Sequence, residues 1–170
     1  LVRKNFIYCN MDLKKYINSV PDFPVEGILY RDIQPLLANA DAFTHACMQM
    51  SELEEYPDYW VGIESRGFIF AAGIAAIRQG GFKMIRKEGK LPGNQINKIY
   101  YKYEYSEGAL EMEPGKGKIV LVDDVYATGG TMESAEELAT CAGYDVIGKI
   151  CLLDIGIAKP KGVKSLIKYE

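Results

Sequence analysis

The stretch Val120-Leu121-Val122-Asp123-Asp124-Val125-Tyr126-Ala127-Thr128-Gly129-Gly130-Thr131 constrains the fold more than any other part of the chain. Its apolar start reads as a buried strand, two adjacent carboxylates follow, and a Thr/Gly turn opens a helix over 131–142. In that helix Met132, Ala135, Leu138 and Ala142 share one face. Strand, tight turn and helix in direct succession belong to a mainly parallel sheet covered on both faces. Gly129 and Gly130 permit positive φ and let backbone N–H groups approach an oxyanion with no Cβ in the way. The first turn of a helix, with its N–H groups and positive dipole end, suits a phosphate. Asp123 and Asp124 fall at the carboxyl end of the strand, where open α/β sheets place their ligands, and vicinal hydroxyls would satisfy them.

The rest of the chain repeats the alternation. Helical spacing covers 11–20 through Leu13, Tyr16, Ile17 and Val20, and the Pro21-Asp22-Phe23-Pro24 segment breaks it. A helix is expected over 40–55, a strand over 59–63, a buried helix over 66–78 and a strand over 82–86. A polar loop fills 87–97. The tyrosine-rich stretch 98–112 alternates, with Gly108 near its middle, and reads as a hairpin. Strands over 118–122, 145–153 and 163–169 complete an α/β chain with no internal repeat and no linker, hence one domain, 1–170.

Composition narrows the function classes. The 170 residues, 48% hydrophobic and 25% charged, are ample for one sizeable core. A net charge of −3 gives no broad electrostatic grip on nucleic acid. Cys9, Cys47, Cys141 and Cys151 form no CxxC pair, and with the single histidine, His45, they make no zinc constellation. Reduced thiols, the absence of a long apolar core in residues 1–10, and an apolar stretch (67–77) about half the length of a membrane span point to a cytoplasmic protein with no membrane partner.

Two further clusters carry chemistry. Glu64-Ser65-Arg66-Gly67 is a second strand–turn–helix junction, and its arginine offers a fixed fork of charged donors to a diphosphate. By itself it would be a helix cap with a surface ion pair; beside the Asp-Asp turn it becomes a second anion site. Arg86, Lys87 and Lys90 place three cations in five residues after a strand, at the start of a loop able to close over a polyanion.

The 120–131 stretch resembles the phosphoribosyl-pyrophosphate motif of the type I phosphoribosyltransferases. The segments RKxGKLP (86–92), residues 21–36 and Tyr101-Lys102-Tyr103-Glu104-Tyr105 resemble, in the same order, motifs of the adenine phosphoribosyltransferases. The resemblance runs from about residue 12 to the end. It implies a type I phosphoribosyltransferase fold with a small N-terminal hood (about 12–36) and a mobile catalytic loop (about 87–107). It implies that Asp123 and Asp124 address ribose hydroxyls, that Ala127, Thr128, Gly129, Gly130 and Thr131 cradle the 5′-phosphate, and that Ser65, Arg66, Arg86, Lys87 and Lys90 meet the diphosphate. Leu29, Tyr30 and Arg31 would meet adenine, with Tyr30 where the family commonly stacks Phe. Glu104 and Arg66 would be catalytic, and Tyr101 and Tyr105 would belong to the loop. Adenine, phosphoribosyl pyrophosphate, AMP and pyrophosphate are the implied ligands, with Mg²⁺ entering on the substrate rather than on protein ligands, in a homodimer. The turn around 111–114 and the loop 154–161 are shorter than in typical relatives. Two other functions remain open on sequence: transfer to another purine or modified base, and a non-catalytic sensor of phosphoribosyl pyrophosphate.

Overall fold

The computed structural model describes residues 11–92, 96–103 and 106–169. The chain divides into two compact units, Leu1–Ala46 and Cys47–Glu170.

In the first unit, the Asp12 carboxylate accepts the Lys14 N–H at 3.2 Å and caps a 3₁₀ turn, Leu13–Tyr16. Strands β1 (Asn18–Pro21) and β2 (Leu29–Asp32) then pair antiparallel, with Val20 opposite Tyr30. The expected helix over 11–20 is therefore one short turn followed by a strand. Asn18, Ser19 and Val20 are weak helix formers, and Pro21 pushes its predecessor towards extended backbone. Between the strands, Asp22 takes φ +57° and its carboxylate accepts the Gly27 N–H at 2.8 Å. The rings of Phe23 and Tyr30 meet edge to face at 5.1 Å. Helix α1 (Gln34–Ala38) starts where Asp32 accepts the Gln34 N–H, and Asn39 caps the next helix, α2 (Ala40–Ser51), through the Ala42 N–H. The α2 helix stops short of residue 55, its end drawn into tighter i→i+3 bonds at Glu52 and Leu53.

The second unit is a seven-stranded sheet flanked by two helices. Strands β3 (Tyr59–Ile63), β4 (Gly81–Lys87), β7 (Lys118–Tyr126), β8 (Asp145–Asp154) and β9 (Val163–Lys168) run parallel. An antiparallel hairpin, β5 (Asn97–Tyr103) and β6 (Ser106–Met112), extends one edge, giving the order β5-β6-β4-β3-β7-β8-β9. Tyr103 stands opposite Ser106, so Gly108 lies within β6 facing Tyr101 across the ladder rather than at the hairpin turn. Helix α3 (Gly67–Arg78) joins β3 to β4 on one side, and α4 (Gly130–Cys141) joins β7 to β8 on the other. The connections leave the middle of the sheet in opposite directions. Because parallel crossovers are right-handed, the helices fall on opposite faces and the β3/β7 seam is the switch point where such sheets bind ligands.

Side-chain alternation separates the two layers. Val61, Ile63, Ile119 and Leu121 pack with Met132, Ala135, Leu138 and Ala139 of α4. The opposite face of β3 and β7 carries Trp60, Val120 and Val122, all fully buried, as are Phe70, Ala71 and Ile74 of α3. Each large apolar side chain so enclosed contributes about 1.5–3 kcal/mol. The α3 helix can start this close to the sheet because Gly67 lacks a side chain: a Cβ there would stand 2.5 Å from the Val122 carbonyl oxygen and 3.1 Å from Asp123 Oδ1. Gly67→Ala should therefore cost about 1–3 kcal/mol of unfolding free energy, as backbone has to shift to admit the methyl group. Urea denaturation measures it, and a loss below about 0.5 kcal/mol, the level of an ordinary surface change, would contradict this packing.

Candidate active site

Two strand–turn–helix junctions meet at the β3/β7 seam, with Gly62 in register with Val122. At the first, Glu64 follows the end of β3, the Glu64–Ser65 peptide is cis, the Ser65 carbonyl accepts the Phe68 N–H, and Arg66 occupies the N-cap of α3. The Glu64 carboxylate turns back along the sheet, accepting the Lys87 N–H at 2.7 Å and the Arg86 Nε at 3.0 Å. Arg86 also lies over the Phe68 ring, 5.6 Å from its centroid. Burial would raise the Glu64 carboxyl, but the Lys87 N–H and the Arg86 guanidinium outweigh it and hold the group below the ordinary carboxylate range.

At the second junction, the strand runs on through the carboxylates to Tyr126, past the expected end at 122, because β8 continues the ladder: Asp123 pairs with Cys151, and Tyr126 with Asp154. The Asp124 N–H donates to Asp123 Oδ1 at 2.9 Å. Asp124 is 4% exposed, and its Oδ2 lies 2.9 Å from Arg66 Nε, an ion pair that joins the two junctions. Past Tyr126, residues 127–129 turn into α4. Of the two glycines, Gly129 takes positive φ (+90°), and a Cβ on it would lie 2.6 Å from the Tyr126 hydroxyl. The α4 helix has Gly129 as its N-cap residue, with no side chain to cap it. Its N-terminus opens on a hollow of about 60 Å³ lined by Asp123, Tyr126, Ala127, Thr128, Gly129 and Thr131 among others. A helix start with its dipole aimed into a small polar hollow has the character that suits an oxyanion.

The geometry has counterparts among known proteins. Residues 30–169 match the phosphoribosyl transferase domain. The adenine phosphoribosyltransferase of Bdellovibrio bacteriovorus is 44% identical over 167 residues, covering 94% of this chain and 100% of that protein. The chain belongs to the adenine phosphoribosyltransferase family. The solved structure of the Giardia lamblia APRTase, complexed with 9-deazaadenine, has a TM-score of 0.84 at 31% identity and covers 94% of this chain and 97% of that one. That of the Saccharomyces cerevisiae adenine phosphoribosyltransferase, complexed with an imino-altritol bisphosphate and adenine, has a TM-score of 0.81 at 31% identity, covering 91% and 96%.

Within this adenine phosphoribosyltransferase fold, the structure gathers Ser65, Arg66, Asp123, Asp124 and the 127–131 turn at one seam, with Arg86 and Lys87 tied to it through Glu64. Lys90 is exposed in the segment after β4. Leu29, Tyr30 and Arg31 lie on β2 of the first unit, where the Arg31 guanidinium donates to the Ser19 hydroxyl. Tyr101 is on β5; Glu104 and Tyr105 lie outside the described residues. Cys47 and Cys151 are buried, their thiols pushed up by that burial, Cys47 to about 12. Cys141 is exposed and Cys9 lies outside the described residues.

Sequence reasoning missed three residues that shape this site. Glu64 was visible in its motif, but its hold on the end of β4 depends on a parallel pairing that spacing does not encode. Tyr126 is a large buried aromatic at the end of β7, directly before a turn of small residues, which was the available signal. Its hydroxyl donates to the Lys159 carbonyl at 3.1 Å, and its own carbonyl accepts the Ile155 N–H. Glu133, in the first turn of α4, pairs with Lys161 at 2.9 Å. The loop after β8 is thereby fastened, through Tyr126 and Glu133, beside the hollow.

The carboxylate pair is costly to hold. Burial lifts the Asp123 carboxyl well above its ordinary value, and the neighbouring Asp124 charge adds to the lift. Burial also raises Asp124, opposed by the Arg66 charge. A carboxyl raised on folding binds more protons folded than unfolded, so stability falls as pH rises from the unfolded pKa, about 3.9, through the folded one. Asp123→Asn keeps the oxygen that accepts the Asp124 N–H but removes the charge. It should raise the melting temperature of the ligand-free protein near neutral pH, with the gain vanishing as pH falls to about 4. Calorimetric melting across that range tests it; no gain at neutral pH, or one independent of pH, would contradict the assignment.

Proposed function

We propose that the chain transfers the 5-phosphoribosyl group of phosphoribosyl pyrophosphate to N9 of adenine, giving AMP and pyrophosphate. The observation that carries this reading is the joining of an anion-fitted helix start, a half-buried and a buried carboxylate side by side, and a guanidinium at one switch-point seam. The family membership supports the choice of adenine.

In this reading the 127–131 turn receives the 5′-phosphate, and Asp123 and Asp124 accept the ribose hydroxyls. Those hydrogen bonds offset the cost of burying the acid pair. The Arg66 guanidinium, already beside Asp124, stands at the junction where the diphosphate departs. With Ser65, Arg86, Lys87 and Lys90 it stabilises charge on the leaving pyrophosphate. The diphosphate brings Mg²⁺ as part of the substrate. A hard cation of this kind takes oxygen donors, which the substrate's diphosphate and ribose hydroxyls would supply, with the acid pair as neighbours. The ion supplies charge neutralisation on the diphosphate when bound.

Leu29, Tyr30 and Arg31 are assigned to the base, within a hood of about 12–36. Glu104 is assigned to the proton at the imidazole side of adenine, within a segment of about 87–107 that also carries Tyr101 and Tyr105. These assignments follow the sequence motifs. A cytoplasmic homodimer completes the proposal. No described helix is long and apolar enough to cross a membrane. On the second unit, Ile69, Ala72 and Ala76 form an exposed stripe of α3, and Phe82 and Met84 of β4 are also exposed. Apolar surface of that kind suits a second copy of the chain.

The test is AMP formation from adenine, phosphoribosyl pyrophosphate and Mg²⁺, with guanine, hypoxanthine and xanthine in parallel. Adenine alone should turn over. Glu104→Ala should lower kcat by roughly a hundredfold or more, the usual scale of a lost general acid–base group, while leaving phosphoribosyl-pyrophosphate binding little changed. Turnover of another base in preference would move the error to residues 29–31 and the 154–161 loop. Tight phosphoribosyl-pyrophosphate binding without turnover would make the chain a sensor.

A further inference from the structure

Glu111 is a carboxylate that the mechanism above does not use, and it is only 4% exposed. It lies on β6, the strand between β5 and β4, opposite Lys98 on one side and Arg86 on the other. Its Oε2 accepts the Gly89 N–H at 2.9 Å, and its Oε1 lies 3.1 Å from the Lys98 ammonium. Lys98 in turn pairs with Glu88 at 2.8 Å, and the Glu88 N–H donates to the Ala109 carbonyl at 3.0 Å. One enclosed carboxylate thus holds the backbone that leaves β4 and the lysine that begins β5. The Gly89 N–H holds the Glu111 carboxyl below the ordinary range, against the pull of burial and with help from Lys98.

The segment so gripped carries the cations. Arg86 and Lys87 are fixed from the other side by Glu64, and Lys90 follows Gly89 directly. Gly89 takes φ +76°, a turn that directs its N–H to an acceptor and leaves open space where a Cβ would be. We infer that Glu111 is a positioning residue for diphosphate binding: by accepting the Gly89 N–H it sets the path of residues 87–90, and with it where their charges stand. The inference rests on the functional reading above, in which those cations meet the diphosphate.

The sign of the effect separates positioning from plain electrostatics. Glu111 is itself an anion near an anion site, so removing its charge would, by Coulomb attraction alone, tighten pyrophosphate binding. Loss of the acceptor should instead loosen it.

Glu111→Met fills the same space without an acceptor, and Glu111→Gln keeps an oxygen for the Gly89 N–H without the charge. Calorimetric titration with Mg²⁺-pyrophosphate and, separately, with AMP, which has no diphosphate, reads the two halves of the site. Glu111→Met should weaken pyrophosphate by about fivefold or more, the scale of one net hydrogen bond, with AMP affinity held within about twofold. Glu111→Gln should restore most of the pyrophosphate affinity. Amide exchange at residues 88–91 should quicken in the Met variant and return in the Gln variant. Tighter or unchanged pyrophosphate binding in Glu111→Met, equal weakening of both ligands, or a Gln variant no better than Met would each overturn the inference. Wild-type protein that binds neither ligand would show instead that the functional reading itself has failed.

Discussion

The site depends on the parallel pairing of β3 with β7. That one ladder sets two strand ends side by side, and the opposite directions of the crossovers that follow leave the seam between them open. The absence of a side chain at Gly67 lets α3 begin almost on the backbone of β7, with the would-be Cβ 2.5 Å from the Val122 oxygen. Without that approach Arg66 could not lie 2.9 Å from Asp124, and the acid pair would be enclosed with no countercharge. Packing and electrostatics are one constraint here.

That constraint has a thermodynamic consequence. Two adjacent carboxyls inside a sheet, both raised by burial, weaken the ligand-free fold at neutral pH. Proteins retain such groups where the same atoms are needed for a ligand, and stability is given up locally for binding. The remaining charges are arranged differently. Glu64 and Glu111 are both pulled below the ordinary range by N–H donors and cations, and each holds a backbone segment in place. Between them they fix the end of β4 and its continuation from two directions, so that cations destined for a polyanion are held by anions before it arrives.

Much of this was legible in the chain itself. The strand 59–63 is found at its expected bounds, and the helices after both junctions begin within a residue of expectation, because apolar periodicity and glycine placement report short-range geometry directly. The motif residues at 64–66 and 123–131 converge as anticipated, since parallel strands bring their carboxyl ends to one edge. Less legible were features set by partners distant in sequence. Residues 17–20 look helical by spacing, yet form a ribbon because β2 supplies the pairing. Gly108 looks like a turn, yet sits mid-strand because register is decided by the whole of β5. The strand through Asp123 and Asp124 continues because β8 continues beside it. Tyr126, Glu64 and Glu111 draw their roles from contacts 22 to 33 residues away, which no local pattern carries.

A crystal structure of the protein with AMP and Mg²⁺-pyrophosphate tests the central claim most directly. The account expects the 5′-phosphate against the N-terminus of α4 in the 127–131 turn, the ribose hydroxyls on the Asp123–Asp124 pair, and pyrophosphate between the 64–66 junction and residues 86–90. A nucleotide phosphate bound away from that turn, or ribose hydroxyls with no contact to either carboxylate, would contradict it.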